Sequence, residues 1–398
     1  MRQSDHSIGA VLLVSPWFRE SVGGVAVVAD RLLCLLTEAG VDSAIMVTDG
    51  TAESDNLESD SILPKIWYQP IPPFSLHSLR SIASTLLRGS VVFWKIARTL
   101  KARQVQTILL LFPTECSWLF RVLRFLRGTR LIVSCQGNDV TKFDALPPYG
   151  RWAVRGVLKS ADAIIVCADH LMEKVQKLVP AQRRPIVVIP NCVDVNYFTL
   201  PPPAFERLKS ERTIVHVSNF APKKRTPDII EAFAIADIPK DSRLVMVGAG
   251  HDLEAAMERA RSLGLGRRIE FVGTQKDVRP FLWQANLFVL ASDDEGAPLV
   301  LLEAMACGLP WVSTAWGVAA TTPNGECGLV VPPRSPGKLA MAIAELINDP
   351  QRCKKMGLQG RRRAETHFTA PIYLNAHLDL IRQMEYGNRY CPAGANHG

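Results

Sequence analysis

The sequence predicts an α/β protein of two doubly wound domains, each a parallel sheet flanked by helices, facing one another across a cleft. Three observations carry this. Short β-branched runs alternate with amphipathic stretches along nearly all of the 398 residues. The alternation halts at Leu200-Pro201-Pro202-Pro203, a semi-rigid linker signal, and then restarts. The length suits two domains better than one. We therefore expect an N-terminal domain over 1–200, a second over 201–368, a C-terminal helix over 369–386 that could pack on either domain, with a return to the first as one option, and a tail at 387–398.

In the first domain, strands are expected at Ile8–Val14, Ala44–Val47, Thr107–Phe112, Arg130–Cys135, Ala163–Val166 and Ile186–Ile189. A helix over Val25–Glu38 follows the turn at Gly23-Gly24, and the polar segment 50–63 reads as a loop. In the second, strands Thr213–Val217, Arg243–Val247, Arg268–Val272, Leu287–Ala291 and Trp311–Thr314 alternate with helices Thr226–Ala236, Asp252–Leu263, Val278–Ala285 and Pro298–Cys307. The apolar run Leu329–Val331, helix Pro336–Asn348 and a helical stretch Ala370–Met384 complete the order.

Composition narrows the function classes. No apolar run approaches the length of a membrane-spanning helix. The first run follows Asp5 rather than a basic cluster, and so reads as a buried strand. Nine scattered cysteines without C-x-x-C spacing argue against a disulfide framework or a zinc site and for a reducing, cytoplasmic setting. The net charge of +8 splits as 22 Lys and Arg against 17 Asp and Glu in residues 1–200, and 24 against 21 beyond, so no nucleic-acid partner is expected. Locally the balance differs: Arg80 to Arg130 holds ten basic residues and a single acid, Glu115, with Trp94, Trp118, Phe120 and Phe125 interleaved. That mixture suits either contact with an anionic membrane or a solvated helix face above an aromatic core.

Residues 292–310, S-D-D-E-G-A-P-L-V-L-L-E-A-M-A-C-G-L-P, are the most informative stretch. Pro298 suits the first position of a helix, with Glu295 in the loop before it and Glu303 inside it. A helix start offers unpaired N–H groups and a positive dipole end, a seat for phosphate. Carboxylates on either side can accept from sugar hydroxyls, so the stretch fits a nucleotide-sugar. Ser218 to Arg225, S-N-F-A-P-K-K-R, follows a strand, which places Lys223, Lys224 and Arg225 where a diphosphate would lie. Gly248-Ala249-Gly250 fails the dinucleotide fingerprint because Leu253 fills its third glycine position, leaving a turn that allows close ligand approach. Gln136-Gly137-Asn138-Asp139 and Ile189–Asp194 are polar turns at strand ends, readable as ordinary Asx turns or as cleft residues. Asp293-Asp294-Glu295 lacks the further carboxylates a divalent-metal site needs.

Together these segments resemble the retaining glycosyltransferases of family 4, with the GT-B fold of two Rossmann-like domains. The E-x7-E stretch Glu295–Glu303 with its A-M-A-C-G-L-P continuation is the specific part; H-V-S-N-F at 216–220 looks most like the branch of the glucosaminyl-malate synthases. The resemblance implies catalytic roles for Glu295, Lys224 and Gln136. It implies a donor site of Gly23, Gly24, Ser218, Asn219, Lys224, Arg225, Gly250, Glu295, Gly296, Leu299, Val300 and Glu303, and acceptor-side roles for Asp139 and Asn191. Within it Glu303 would hold the ribose, Glu295 the transferred sugar, Lys224 and the N–H groups of Leu299 and Val300 the diphosphate. Two departures stand out. Asn219 or Ala221 fills the place of the usual diphosphate arginine, for which Arg225 is a candidate substitute. Gln136 replaces the cleft histidine; it keeps a hydrogen bond but carries no proton.

The implied reaction moves a sugar from a nucleotide-diphosphate sugar to a hydroxyl acceptor with retention and without metal or cofactor. Its acceptor would be a sugar, a lipid-linked glycoconjugate or a small hydroxyl compound in envelope or exopolysaccharide synthesis. The location would be cytoplasmic, at the inner membrane face if the basic-aromatic segment docks there. A nucleotide-sugar epimerase of the same fold, or a non-catalytic partner of another transferase, are the alternatives.

Overall fold

Apolar runs such as Val11–Val14, Ile108–Leu111 and Leu287–Leu290 are buried along their whole length, as strands covered on both faces must be. They build two all-parallel sheets. The first has seven strands: β1 (Ala10–Ser15), β2 (Ser43–Val47), β3 (Lys65–Tyr68), β4 (Val105–Leu111), β5 (Arg130–Cys135), β6 (Ala163–Val166) and β7 (Ile186–Val188). The second has six: β8 (Thr213–Val217), β9 (Arg243–Val247), β10 (Ile269–Gly273), β11 (Leu287–Leu290), β12 (Trp311–Thr314) and β13 (Gly328–Val331). Their orders, β3-β2-β1-β4-β5-β6-β7 and β10-β9-β8-β11-β12-β13, each reverse direction once, between β1 and β4 and between β8 and β11. Such switch points open a crevice beyond the strands' carboxyl ends. The computed structural model describes residues 8–19, 23–48, 65–71, 79–180, 184–206, 212–317, 319 and 322–387. The expected loop at 50–63 and the tail from 388 on lie outside the described residues.

The chain divides into residues 1–189 with 373–398, and 190–372. The division falls before the proline linker rather than at 200/201. Val193 and Phe198 are buried in the core of the second unit, and Val193 N donates to Phe368 O at 2.8 Å. Arg361 fixes the same stretch, donating to the carbonyls of Val195 (3.1 Å), Phe198 (2.6 Å) and Ala306 (2.6 Å).

Helix Ala370–Tyr386 counts with the first unit from Tyr373 on. Its last carbonyls, which no helical N–H can reach, are capped by Arg130, whose guanidinium donates to Met384 O (2.6 Å) and Glu385 O (2.9 Å). Glu385 in turn accepts from Thr107 Oγ1 at 3.1 Å and Gly9 N at 3.3 Å.

The structure adds elements to which the sequence expectations gave no bounds, β3 and helix Pro350–His367 among them. β3 is a four-residue edge strand, too short for periodicity to reveal. Helix Pro350–His367 carries Gly357 and Gly360, which in a sequence weaken a helix assignment. Here Gly357 is a contact: a Cβ on it would stand 2.0 Å from Gly308 O.

Candidate active site

The loops after β8 and β11 meet at the second sheet's switch point. Ser292, two residues after β11, has its side chain fully buried and donates to Glu295 Oε1 at 2.9 Å. The loop that carries Glu295 is tied down from β12: Thr314 Oγ1 and Trp316 Nε1 both donate to Ser292 O at 2.8 Å. Gly317, at φ +55°, lets the turn after β12 close on Ala297 and Pro298, where a Cβ would come within 2.8 Å of Ala297 Cα.

Glu295 is 7% exposed and is met by two ammonium groups from the β8 loop, Lys224 Nζ at 2.5 Å on Oε1 and Lys223 Nζ at 3.3 Å on Oε2. Burial pushes this carboxyl up, but Lys224, Lys223 and Ser292 pull harder, and its pKa lies below the ordinary glutamate value. The backbone completes the clamp, Asp293 N donating to Lys223 O at 2.8 Å. Lys223 and Lys224 form a single 3-10 turn with Pro222, which projects both side chains from one short segment.

Beneath the loop lies His216, fully buried in β8. Burial drives its pKa down to about 4, so the ring is neutral. Nδ1 stands 2.9 Å from Val289 O and therefore carries the proton, leaving Nε2 to accept from Ser218 Oγ at 2.8 Å. Ser218 Oγ accepts in turn from Phe220 N at 3.2 Å. The chain His216–Ser218–Phe220 thus fixes the start of the lysine loop. His216 did not figure among the expected site residues, and Lys223 was expected only near a diphosphate, not against Glu295. The adjacent H-V-S in the sequence was the available signal for the first, and Lys223 needed the contact across 72 positions.

Pro298 is the N-cap rather than the first helical residue, at φ −65° and ψ 114°, and the helix runs Leu299–Ala306. Its first hydrogen bond of this kind is Leu301 N to Pro298 O at 3.1 Å. The N–H groups of Leu299 and Val300 precede that bond, and no acidic residue occupies the first turn to offset the positive helix end. Glu303 is half-buried one turn further on.

Several expected residues have other engagements. Arg225 is at φ +52° and turns away from Glu295 to grip Asp228 at 3.1 and 2.8 Å, with Asp293 at 3.9 Å. Asp293 also holds Arg334 at 2.9 and 2.8 Å. Gly248 and Gly250 serve the fold: a Cβ on either would overlap the carbonyl of Ser218 (1.8 Å) or Asn219 (1.9 Å), so the tight approach they permit is to the protein's own β8 loop. Asn219 is exposed beside them. Asn191 falls in the second unit, with Nδ2 3.3 Å from Ala297 O, next to the Gly296–Pro298 turn.

Gly23, Gly24, Gln136 and Asp139 belong to the first unit. Gly23 and Gly24 are exposed at the start of helix Gly24–Glu38, which has no side-chain cap and no acid in its first turn. Gln136 follows β5 and donates to Ser134 Oγ at 2.8 Å. Asp139 is 5% exposed and acts on the turn itself, accepting from the N–H groups of Gln136 (2.9 Å), Gly137 (2.7 Å) and Val140 (3.2 Å). Burial outweighs these bonds and pushes its carboxyl up to about 7.

Comparison with known proteins agrees with this architecture. Residues 203–363 match the family model described as glycosyl transferases group 1, and residues 23–192 match that of the glycosyl transferase 4-like domain. The N-acetyl-alpha-D-glucosaminyl L-malate synthase of Bacillus anthracis is 25% identical over 268 residues, 65% of this chain and 70% of its own length. A GDP-mannose-dependent alpha-(1-6)-phosphatidylinositol monomannoside mannosyltransferase of Mycobacterium tuberculosis is 25% identical over 301 residues, 71% of this chain and 77% of its own. Among solved structures, Anabaena Alr3699/HepE in complex with UDP superposes with a TM-score of 0.78 at 17% identity, covering 94% of this chain and 100% of that one. That likeness gives the fold, two Rossmann-like domains of the GT-B type.

Proposed function

We infer, from a chain whose two halves belong to the 4-like and group 1 glycosyl transferase families, that this protein transfers a sugar from a nucleotide-diphosphate sugar to an acceptor hydroxyl with retention of configuration. The observation that carries the reading is Glu295: a buried carboxylate, kept ionised by two lysines, at a switch point and directly before a helix whose leading N–H groups are uncapped. A carboxylate in that state accepts from the hydroxyls of the transferred sugar. Lys224 has three N–H donors and commits one to Glu295, leaving others for the diphosphate. Leu299 N and Val300 N face the same anion from the helix end, and Glu303 takes the ribose.

In the reaction the bond from the anomeric carbon to the diphosphate oxygen breaks while the acceptor oxygen bonds to that carbon on the same face. The acceptor's proton passes to the departing diphosphate oxygen, so no protein base is required and Gln136 need not carry one. The lysines and the helix dipole stabilise the charge that builds on the leaving group, and this is the largest protein contribution to the rate. No metal ion is needed, so EDTA should leave the rate unchanged.

The acceptor hydroxyl belongs to a cell-envelope or exopolysaccharide glycoconjugate, and transfer takes place at the inner face of the cytoplasmic membrane. The relatives' names support the direction, the mycobacterial one acting on a phosphatidylinositol monomannoside and a Rhizobium meliloti protein, 28% identical over 56% of this chain, being a lipopolysaccharide core biosynthesis glycosyltransferase. For the donor, the UDP-glucose complex of Alr3699/HepE and the GDP-mannose dependence of the mycobacterial relative set the first sugars to try.

The test is a thermal-shift panel of UDP-, GDP- and ADP-sugars on the wild type and on Glu303→Ala. One donor class should stabilise the wild type, by about 2.7 kcal/mol at a hundredfold excess over Kd, and fail to stabilise the variant. Stabilisation by none of them, in folded protein, overturns the reading in favour of a non-catalytic partner. Conversion of the donor without acceptor, followed by proton NMR, would point to an epimerase.

A further inference from the structure

Three neighbouring helices of the first unit, Leu79–Ala102, Trp118–Arg127 and Pro148–Ser160, differ in charge from every other helix among the described residues of that unit. Across their 24, 10 and 13 residues stand eleven Lys and Arg and no Asp or Glu. Gly24–Glu38 and Asp169–Leu178, in the same unit, carry both signs. The three helices follow crossovers that run in one direction along the sheet, from β3 to β4, β4 to β5 and β5 to β6, which sets them on one face.

The same helices hold every exposed tryptophan and phenylalanine among the described residues: Trp94 (66% exposed), Phe125 (85%) and Trp152 (62%). Leu126 and Val91 are exposed beside them at 60% and 63%. Phe125 and Trp152 flank one shallow cavity of about 410 Å³ between their helices. A soluble surface has no use for large aromatics standing in water on an acid-free helix face. Phe120, by contrast, is turned inward at 1% exposure, while Trp118 is half-buried and lines the same cavity as Phe125 and Trp152.

We propose that this three-helix face is a docking surface for an anionic lipid bilayer, with Trp94, Phe125 and Trp152 entering the headgroup layer and the surrounding arginines and lysines binding acidic headgroups. Charge complementarity selects the occupant. A protein partner or second copy would need a strongly acidic patch, whereas the cytoplasmic leaflet supplies negative charge over any footprint. Aromatic side chains with a basic rim are also the composition that settles at a membrane–water boundary. The proposal deepens the membrane-side reading above by naming the surface and the lipid class, and it does not depend on sugar transfer.

The test is co-sedimentation of the full chain with vesicles of neutral phosphatidylcholine alone or with 30% phosphatidylglycerol, without donor. Binding is expected only to the anionic vesicles and should weaken with salt. The variants avoid Arg124, which is held by Asp162 at 2.9 and 2.5 Å, and use exposed positions only. Arg98→Glu, Arg127→Glu and Lys159→Glu together should weaken binding at least a hundredfold, at about fivefold per charge removed. Trp94→Ser with Phe125→Ser and Trp152→Ser should reduce it without altering the salt dependence. A melting curve for each variant establishes folding. Equal binding to neutral vesicles, no binding to anionic ones, or variants that bind as wild type overturn the proposal. So does a dimer that Phe125→Ser dissociates, which would assign the face to a second copy. Transfer to a soluble acceptor in detergent-free buffer reads the enzyme separately, so loss of docking and loss of activity are distinguishable.

Discussion

Two buried carboxylates stand just beyond strand ends in this molecule, Asp139 after β5 and Glu295 after β11, and they are equally hidden at 5% and 7% exposure. Their partners differ. Glu295 meets two ammonium groups and a hydroxyl, and its pKa is lowered. Asp139 meets only backbone N–H groups, and burial lifts it to about 7. Equal burial therefore accompanies pKa shifts in opposite directions, and the nature of the donors decides which. One carboxylate is kept as an anion with its cations poised beside it; the other shapes the turn that carries Gln136.

The sharpest way to break this contrast is to remove the cation. Lys224→Ala should lower the transfer rate by about 10² to 10³, the usual cost of removing a donor to a leaving-group anion. It should also destabilise the fold, since the buried Glu295 then loses its nearer cation and keeps Lys223 and the Ser292 hydroxyl. Steady-state kinetics beside denaturant unfolding separate the two effects, and an unchanged rate would remove Lys224 from the site.

The next largest effect is set by pH. The folded pKa of His216, about 4, lies below the unfolded 6.5, so the stability tied to its neutral ring is complete above 6.5 and lost as pH falls toward 4. The loss amounts to about 3 kcal/mol. Glu295 adds in the same direction, its contribution being present above the unfolded 4.5 and lost as pH falls through its lowered folded value. Denaturant midpoints at pH 7.5 and 4.5, for wild type and His216→Gln, would expose the difference as a flatter profile in the variant.

Asp139 sharpens the comparison from the other side. Its folded pKa is raised above the unfolded 3.8, so its contribution is largest in acid and declines as pH rises toward about 7. Asp139→Asn should remove that decline, and a carbon-13 titration of the wild-type carboxyl should show protonation persisting near pH 6. A carboxyl that titrates near 3.8 would mean that the three N–H groups outweigh burial.

Arg225→Ala is expected to do least. Its guanidinium is half-exposed and already bound to Asp228, so the rate should change by no more than about fivefold, the worth of such a pair. A loss as large as that of Lys224→Ala would show that Arg225 leaves Asp228 for the diphosphate when donor binds.

Much of this architecture was legible in the sequence because parallel strands buried on both faces leave continuous apolar runs, and because E-x7-E puts its two carboxylates on either side of one helix start. What was hidden depended on contacts. Pro298 reads as the first helical residue, yet its ψ of 114° makes it the cap. Gly250 reads as room for a ligand, yet the Asn219 carbonyl fills that room. Leu200–Pro203 reads as a boundary, yet Arg361 binds the carbonyls of Val195 and Phe198 from 163 and more positions away and draws them into the second unit. Lys223 and Lys224 are equivalent as neighbours in a basic run, and only the fold shows both reaching Glu295. Trp152, Arg155 and Lys159 lie outside the basic segment as read from 80 to 130, and it is the sheet order that sets them beside it.

Arg130 carries a consequence for how the chain is made. Its guanidinium caps a helix whose end is synthesised about 250 residues later. Until then β5 holds a cation with no carbonyl to receive it, and Thr107 and Gly9 await Glu385. The first unit thus cannot finish folding when its own sheet has left the ribosome. It closes only after the whole second unit has been translated, so a stop shortly before residue 373 should leave both halves of the protein present and the first one unfinished.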